Sequence, residues 1–400
     1  MRYVFAAIFV LHGLIHVIGV VQALRPEAVP QLTAFNADWP PAARVAGWGL
    51  AAVASIAAGI ALAAGAGGVV WAALIGVALI LSQVMIVSAW DDAKYGTIAN
   101  VIATCGVVIA LALAGFDQRA DVVRGGIATG GRGPSQPAIA ADDLARLPPP
   151  IARWLTASGV VGRVPVRVVE LTQQGELRTT PDGAWHPVTA EQTFAVDPPA
   201  FAWHARVSMA GLPVRGLDEW HDGLGRMEIR VAGLIPVVDA RGPRIDEGSL
   251  LRWLGEMVWF PSAALSPSVS WTPIDDSRAR ATLRLGDVEG SAEFTIDAQG
   301  RFVSMEAMRY LGGGADSKRE RWVVPATAWK RFDGVQIPVE GEVVWKLPLG
   351  DFSYFRWKIL DVRFDPAPRR AGDAAPAPSP RSSAMDGRAP AVPGSLARSG

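Results

Sequence analysis

Residues 201–223 read FAWHARVSMAGLPVRGLDEWHDG. Phe201, Trp203, Ala205, Val207 and Met209 fall on one side of a period-two alternation, and Ala202, His204, Arg206 and Ser208 on the other. That period marks a β-strand with two different faces. A turn at 210–213 returns the chain with Met209 opposite Val214, Trp203 opposite Trp220 and Asp218 opposite Ala205. On this register Asp218 lies on the tryptophan face, where an unpaired carboxylate is costly, and His204 meets Glu219 on the other. Asp218 is then a candidate acid or ligand-orienting group with a raised pKa, or the partner of an arginine such as Arg226 or Arg309.

The same alternation extends outward. Strand-like runs occupy 164–172, 174–180, 185–195, 201–209, 213–221 and 224–234, then 268–275, 278–286, 290–297, 301–310, 319–331, 335–346 and 352–365. Turn signals such as Asp222-Gly223, Gln299-Gly300 and Asp333-Gly334 separate them. A helix with Asp246 as its N-cap and Pro261 as its stop interrupts the series in DEGSLLRWLGEMVWFP. Glu256 on that helix stands beside Trp253, Trp259 and Phe260, facing either the tryptophans or water. A further helix opens the region at LPPPIARWLTASG, with prolines at its start and Gly159 as its C-terminal cap. The expectation for 145–365 is an α+β soluble domain, a curved antiparallel sheet packed on an inserted helix, or a barrel.

Ahead of this domain, about 3–24, 45–64, 69–89 and 98–116 are long and apolar enough to cross a bilayer. They imply a four-helix transmembrane region over 1–116. A cleaved signal peptide ending near Ala23 is the alternative for the first span. Arg2, Arg119, Arg124 and Arg132 stand against Arg25, Arg44 and Lys94 across the membrane, a small cytoplasmic excess that leaves the side of the soluble domain open. Residues 117–144, rich in Gly, Ala and Pro, read as a flexible linker. Residues 366–400 read as a disordered tail. The expected location is the plasma (inner) membrane, multi-pass.

Composition narrows function. The 400 residues carry 38 basic and 38 acidic side chains, so no basic excess points to nucleic acid. One cysteine, Cys105, excludes an internal disulfide and a thiolate cluster. His12 and His16 share one face of the first span. Matched depths bring His16 near Ser82, Gln83 and Thr104, so His12, His16, Gln83 and Thr104 form a candidate membrane polar cluster. Interhelical hydrogen bonding, a metal or haem site, and a proton or small-molecule site all fit such a cluster. In WDDAKYGTIAN (90–100), Trp90, Tyr95 and Lys94 suit a membrane interface. His186, His204 and His221 lack metal-ligand spacing, and no phosphate loop, dinucleotide fingerprint or nucleophile elbow occurs. No metal, cofactor or catalytic residue is assigned. Eleven of the 15 tryptophans fall in 145–365, more than a sheet core needs, which fits an apolar pocket with a few polar groups.

The segments LPPPIARWLTASGVVG, GELRTTPDGAWHPVTAEQTF, DEWHDGLGRMEIRVAGLIPV, GEMVWFPSA and GVQIPVEGEVVWKLPLGDFSYFRWKILDV, with LHGLIH and AKYGTIAN upstream, resemble an uncharacterised bacterial family of unknown function with an N-terminal four-helix membrane region. The strand-rich part is also similar to the lipoprotein-carrier half-barrel, in which a sheet and helical lid enclose an apolar cavity. That similarity implies a domain on the outer side of the membrane, against the charge count. The function expected is binding of a lipid or other apolar ligand by Trp203, Asp218, Trp220, Glu256 and Trp259. Membrane lipids and an apolar small molecule are the expected partners. The alternatives are an enzyme using Asp218 or Glu256 as acid or base, and a structural partner-binding module.

Overall fold

The computed structural model describes residues 2–29, 38–65, 68–314 and 316–367. The tail expected to be disordered lies, from 368 onward, outside the described residues. Helices α1 (Arg2–Leu24), α2 (Pro41–Ala63), α3 (Gly68–Ser88) and α5 (Gly96–Gly130) pack in sequence order, and α5 returns to α1; the short α4 (Trp90–Ala93) precedes α5. All four long helices are long and apolar enough to cross a membrane. Their outward side chains are apolar too: Leu11, Ile15, Val53, Ile60, Ile80, Val84, Ile98 and Val101 are all exposed. Such a surface suits hydrocarbon rather than water.

Helix α5 does not stop where the apolar run ends. It continues through Asp117 and Arg124 to Gly130, about 52 Å at 1.5 Å per residue. That exceeds the roughly 30 Å hydrocarbon core of a bilayer. The flexible linker expected over 117–144 is therefore corrected: its first half is helix. The rest is docked as well, since Ile139 is buried and exchanges backbone hydrogen bonds with Gly162 and Arg163. The glycines that read as flexibility include Gly131, where a Cβ would stand 2.7 Å from that of Ala195. Its small size permits close packing on the sheet.

The β-domain begins with a 3₁₀ turn (Ala141–Arg146) and α6 (Pro149–Ser158), whose cap is Gly159 at φ +82°, as its sequence requires. Strands β1 (Val168–Leu177), β2 (His186–Ala195), β3 (Ala200–Met209), β4 (Leu212–His221), β5 (Leu224–Val231) and β6 (Ile235–Arg241) follow. After α7 (Pro243–Glu256) come β7 (Val269–Pro273), β8 (Arg278–Leu285), β9 (Val288–Ile296), β10 (Phe302–Tyr310), β11 (Arg319–Phe332), β12 (Val335–Leu347) and β13 (Gly350–Phe364). All thirteen form one curled antiparallel half-barrel sheet in the order β6-β5-β4-β3-β2-β1-β13-β12-β11-β10-β9-β8-β7. It consists of two meanders joined by the β1–β13 pair. Because β6 and β7 are the two edges, the chain between them must cross the sheet. That crossing is α7, which roofs the inner face and buries Leu250, Leu251, Trp253 and Leu254. Phe194, Phe201, Trp220, Phe260, Phe294 and Phe302 fill the space beneath. Full burial of a large apolar side chain stabilises by about 1.5–3 kcal/mol.

Two strand boundaries differ from the sequence reading. The runs 164–172 and 174–180 are one strand, β1, with a register shift against β13 between Thr172 and Gln173. The run 224–234 ends at Val231, and β6 was not foreseen, because Leu234-Ile235-Pro236-Val237 has no polar alternation. The N-cap expectation at Asp246 is also corrected. Pro243 opens α7, and the Asp246 carboxylate accepts the Gly225 N–H at 2.7 Å, tying the helix to β5.

Candidate functional site

The β3–β4 turn is only Ala210-Gly211, so Met209 faces Leu212, Phe201 faces Trp220 and Trp203 faces Asp218. The expected pairing was displaced by two residues. An even displacement preserves faces, so Asp218 does lie on the tryptophan side. Its hydrogen-bonded partner is neither Arg226 nor Arg309, although the charge of Arg309 also favours its ionised form. Arg252, reaching down from α7, donates to Asp218 at 2.6 Å and, through Nε, to Glu256 at 2.9 Å. The guanidinium also lies 5.0 Å from the Phe201 ring centroid and 4.9 Å from that of Trp203.

From Glu256 a hydrogen-bonded chain runs along the sheet. Gln192 Nε2 donates to Glu256 at 2.7 Å, Gln173 Nε2 donates to Gln192 at 3.1 Å, and Trp203 Nε1 donates to Gln173 at 3.1 Å. Burial pushes both Asp218 and Glu256 above the usual carboxylate range, against the pull of Arg252. Burial opposes the Arg252 charge, yet the two carboxylates hold its pKa above the ordinary value. Asp218, Glu256 and Trp203 are thus brought together, and of the two orientations open to Glu256 it takes the one toward the tryptophans. Trp220 and Trp259 are not part of this polar chain. They are 0% and 4% exposed, packed in the core, and neither indole N–H has an acceptor among the described residues.

Beyond Trp203, toward the β3–β4 turn, the inner face changes character. Val188, Ala190, Ala205, Val207 and Val214 form a separate apolar cluster, flanked by half-buried Leu177, Trp203, Met209, Ile229, Val231 and Phe355. Every member is on a strand; no helix contributes to it. An apolar strip therefore ends at a charged, hydrogen-bonded wall beneath α7. Arg252 and Glu256 keep 14% and 15% of their side-chain surface exposed there.

Among the helices, His12 and His16 are buried and both place Nε2 2.9 Å from Ser82 Oγ. Ser82 has one hydroxyl proton and donates it to Asn100 at 3.0 Å, so both imidazoles donate to its oxygen. Asn100 donates to Gln83 and Gln83 to Thr97, at 2.9 and 3.2 Å. Every link points the same way. Thr104 does not join: it is exposed and bonds the Asn100 carbonyl one turn back on its own helix. Asn100 takes its place because it shares the bundle-facing side of α5 with Ala103. Among the described residues, no group of three or more His, Cys, Asp or Glu could hold a metal ion.

Sequence reasoning missed one feature entirely. The outer face of β2–β4 is covered by α5, with Phe116, Ala120 and Leu217 forming one apolar contact and Ile127, Ala195, Ala200 and Ala202 another. Around them Asp117 meets His204 at 3.0 Å and Arg215 at 2.7 Å. Arg124 pairs with Glu191, which also binds Arg206 at 3.0 Å. Arg119 reaches Glu228 at 3.0 Å. Burial works to raise Glu191, but Arg124 and Arg206 hold it down, to about 2. The charges at Asp117, Asp121 and Arg124 were the available signal, since their i, i+4, i+7 spacing puts them on one helical face.

Among solved structures, the LolA superfamily protein NE2245 from Nitrosomonas europaea is similar at 12% identity and a TM-score of 0.28, over 56% of this chain and 94% of that one. No curated protein matches the chain. A model for a family of unknown function, DUF6544, matches residues 137–357, which is more than half the sequence and nearly all of the β-domain, and the chain belongs to that family.

Proposed function

We propose that this is a membrane-anchored protein whose β-domain binds a lipid or other apolar molecule on its inner face. The observation that carries the reading is the apolar strip of Val188, Ala190, Ala205, Val207 and Val214, free of any helix and ending at Arg252, Asp218 and Glu256. The five strip residues are themselves buried, so an apolar chain on this face contacts the half-buried Trp203, Met209, Ile229 and Phe355 packed against them, and its polar end meets Arg252. Helix α7 serves as the roof, held down by the same polar groups. Trp220 and Trp259 support the strip from the core rather than line it. Both carboxylates are engaged by Arg252, an arrangement suited to orienting a polar group more than to moving a proton.

The test is native mass spectrometry with lipid extraction on the full chain, purified from its host membrane. A reproducible apolar species that is lost in Trp203→Ala supports the reading. A chain that emerges empty, and whose tryptophan emission does not respond to added lipid, rejects it.

A further inference from the structure

The β5–β6 hairpin touches the apolar part of α5. Gly233, at φ +72° in its turn, lies so close that a Cβ would stand 2.7 Å from the Ala112 carbonyl carbon and the Leu113 nitrogen. Asp117 is the first charge on α5 after its apolar run, and Ala112 is five residues earlier, about 7 Å deeper along the axis. From Ala232 to Val238 the hairpin carries no charged side chain, and Arg230 and Asp239 stand on either side. Ile235 is 60% exposed and Val237 56%, on a strand at the edge of the sheet, and Leu234 is 41% exposed in the turn before it. The neighbouring β3–β4 turn presents Leu212, 52% exposed, and the two turns are tied by the Ala232 N–H to the Pro213 carbonyl.

We infer that these two turns form a membrane-inserted wedge, with Leu212, Leu234, Ile235 and Val237 seated in the interfacial and upper acyl region of the bilayer that α5 crosses. The inference rests on the membrane-anchored reading and adds to it a second, peripheral contact. Exposed apolar residues on an edge strand invite aggregation in water; lipid at that depth covers them. The ion pairs of Asp117 and Arg119 with the sheet fix the domain to α5, so the wedge depth is set by the helix. The contact also brings the domain's apolar strip to the bilayer surface, since Val207, Val214 and Val231 lead into the same turns.

The full chain, reconstituted in phosphatidylcholine vesicles, carries an environment-sensitive fluorophore at one of four positions. These are native Cys105 on α5, and Ile235→Cys, Val237→Cys or Leu224→Cys, each in a Cys105→Ser background. Leu224 is 65% exposed at the opposite end of the sheet. The expected result is a blue shift and loss of emission to shallow-brominated lipid at 235 and 237, deep quenching at 105, and a water-like signal at 224. Quenching at 105 with water-like signals at 235 and 237 overturns the wedge while leaving the anchor intact. Labels at 235 and 237 shielded from iodide but unquenched by brominated lipid indicate a protein there, and also overturn it. An unquenched label at 105 rejects the anchored reading and the wedge with it.

Discussion

Replacing Arg252 by Met leaves Asp218 and Glu256 in the core without the guanidinium that contacts both, although the charge of Arg309 still acts on Asp218. Asp218 is 3% exposed and, among the described residues, Arg252 is its only ion-pair partner, while Glu256 would keep its hydrogen bond from Gln192. Removing one partner of a buried pair costs about 3–5 kcal/mol. For a domain of this size each kcal/mol moves Tm by about 2–4 °C, so Arg252→Met should lower the β-domain's Tm by roughly 6–20 °C. Met fills much of the same volume, which keeps the loss electrostatic.

The pH dependence has a definite sign. Carboxylates whose folded pKa is raised contribute most favourably below their unfolded value, and the contribution is lost as pH rises through the folded one. Both groups are already raised in the native protein, and removing Arg252 raises them further. The deficit of Arg252→Met should therefore be smaller at about pH 5 than at about pH 8. Near-ultraviolet circular dichroism of the full chain in detergent, scanned at both pH values, reads it directly. Adding Asp218→Asn and Glu256→Gln should restore much of the lost stability. A single variant as stable as the parent at both pH values, or a triple variant no better than the single, refutes the reasoning.

Three further outcomes are expected. Ser82→Ala removes three hydrogen bonds, and at about 0.6 kcal/mol each within a membrane should cost about 2 kcal/mol in a denaturation titration, whereas Thr104→Ala should cost little; equal losses would contradict the hub role of Ser82. Glu191, held to about 2 against 4.5 unfolded, contributes stability that is full above the unfolded value and lost as pH falls toward 2. Glu191→Gln should thus lower Tm at neutral pH and flatten its acid limb, and an unchanged acid limb speaks against the ion-pair account. Gly233→Ala and Gly211→Ala both place a side chain at positive φ, costing about 1–3 kcal/mol, but only Gly233 presses on α5. A thermal scan should find Gly233→Ala the worse of the two, and parity would deny the contact.

Much of the strand pattern was legible because period two is written in neighbouring residues. The faces of β3 and β4 were assigned correctly even though the turn was misjudged, since a shift of two residues exchanges partners without exchanging sides. The β6 strand was not legible: Leu234-Ile235-Pro236-Val237 lacks alternation because successive positions, all exposed, are apolar on both faces. The outer face of β3 carries Ala202, His204 and Arg206, small or polar residues that give no sign of a cover. It is covered by a helix whose own charges match them.

Local chemistry in the chain was sufficient to specify four apolar helices, a mostly alternating β-region, the shared face of His12 and His16, and the cap at Gly159. Each depends on residues within a few positions of one another. The tertiary structure alone decided which distant groups meet. Arg252 bridges Asp218 and Glu256 because the chain linking the two sheet edges must cross the inner face. Asp117 meets His204, 87 positions away, because α5 runs on past its apolar stretch and lies on the outer face. Periodicity tells which way a side chain points, but its partner is set by strand register and by the closure of β1 on β13, quantities that no short window of sequence contains.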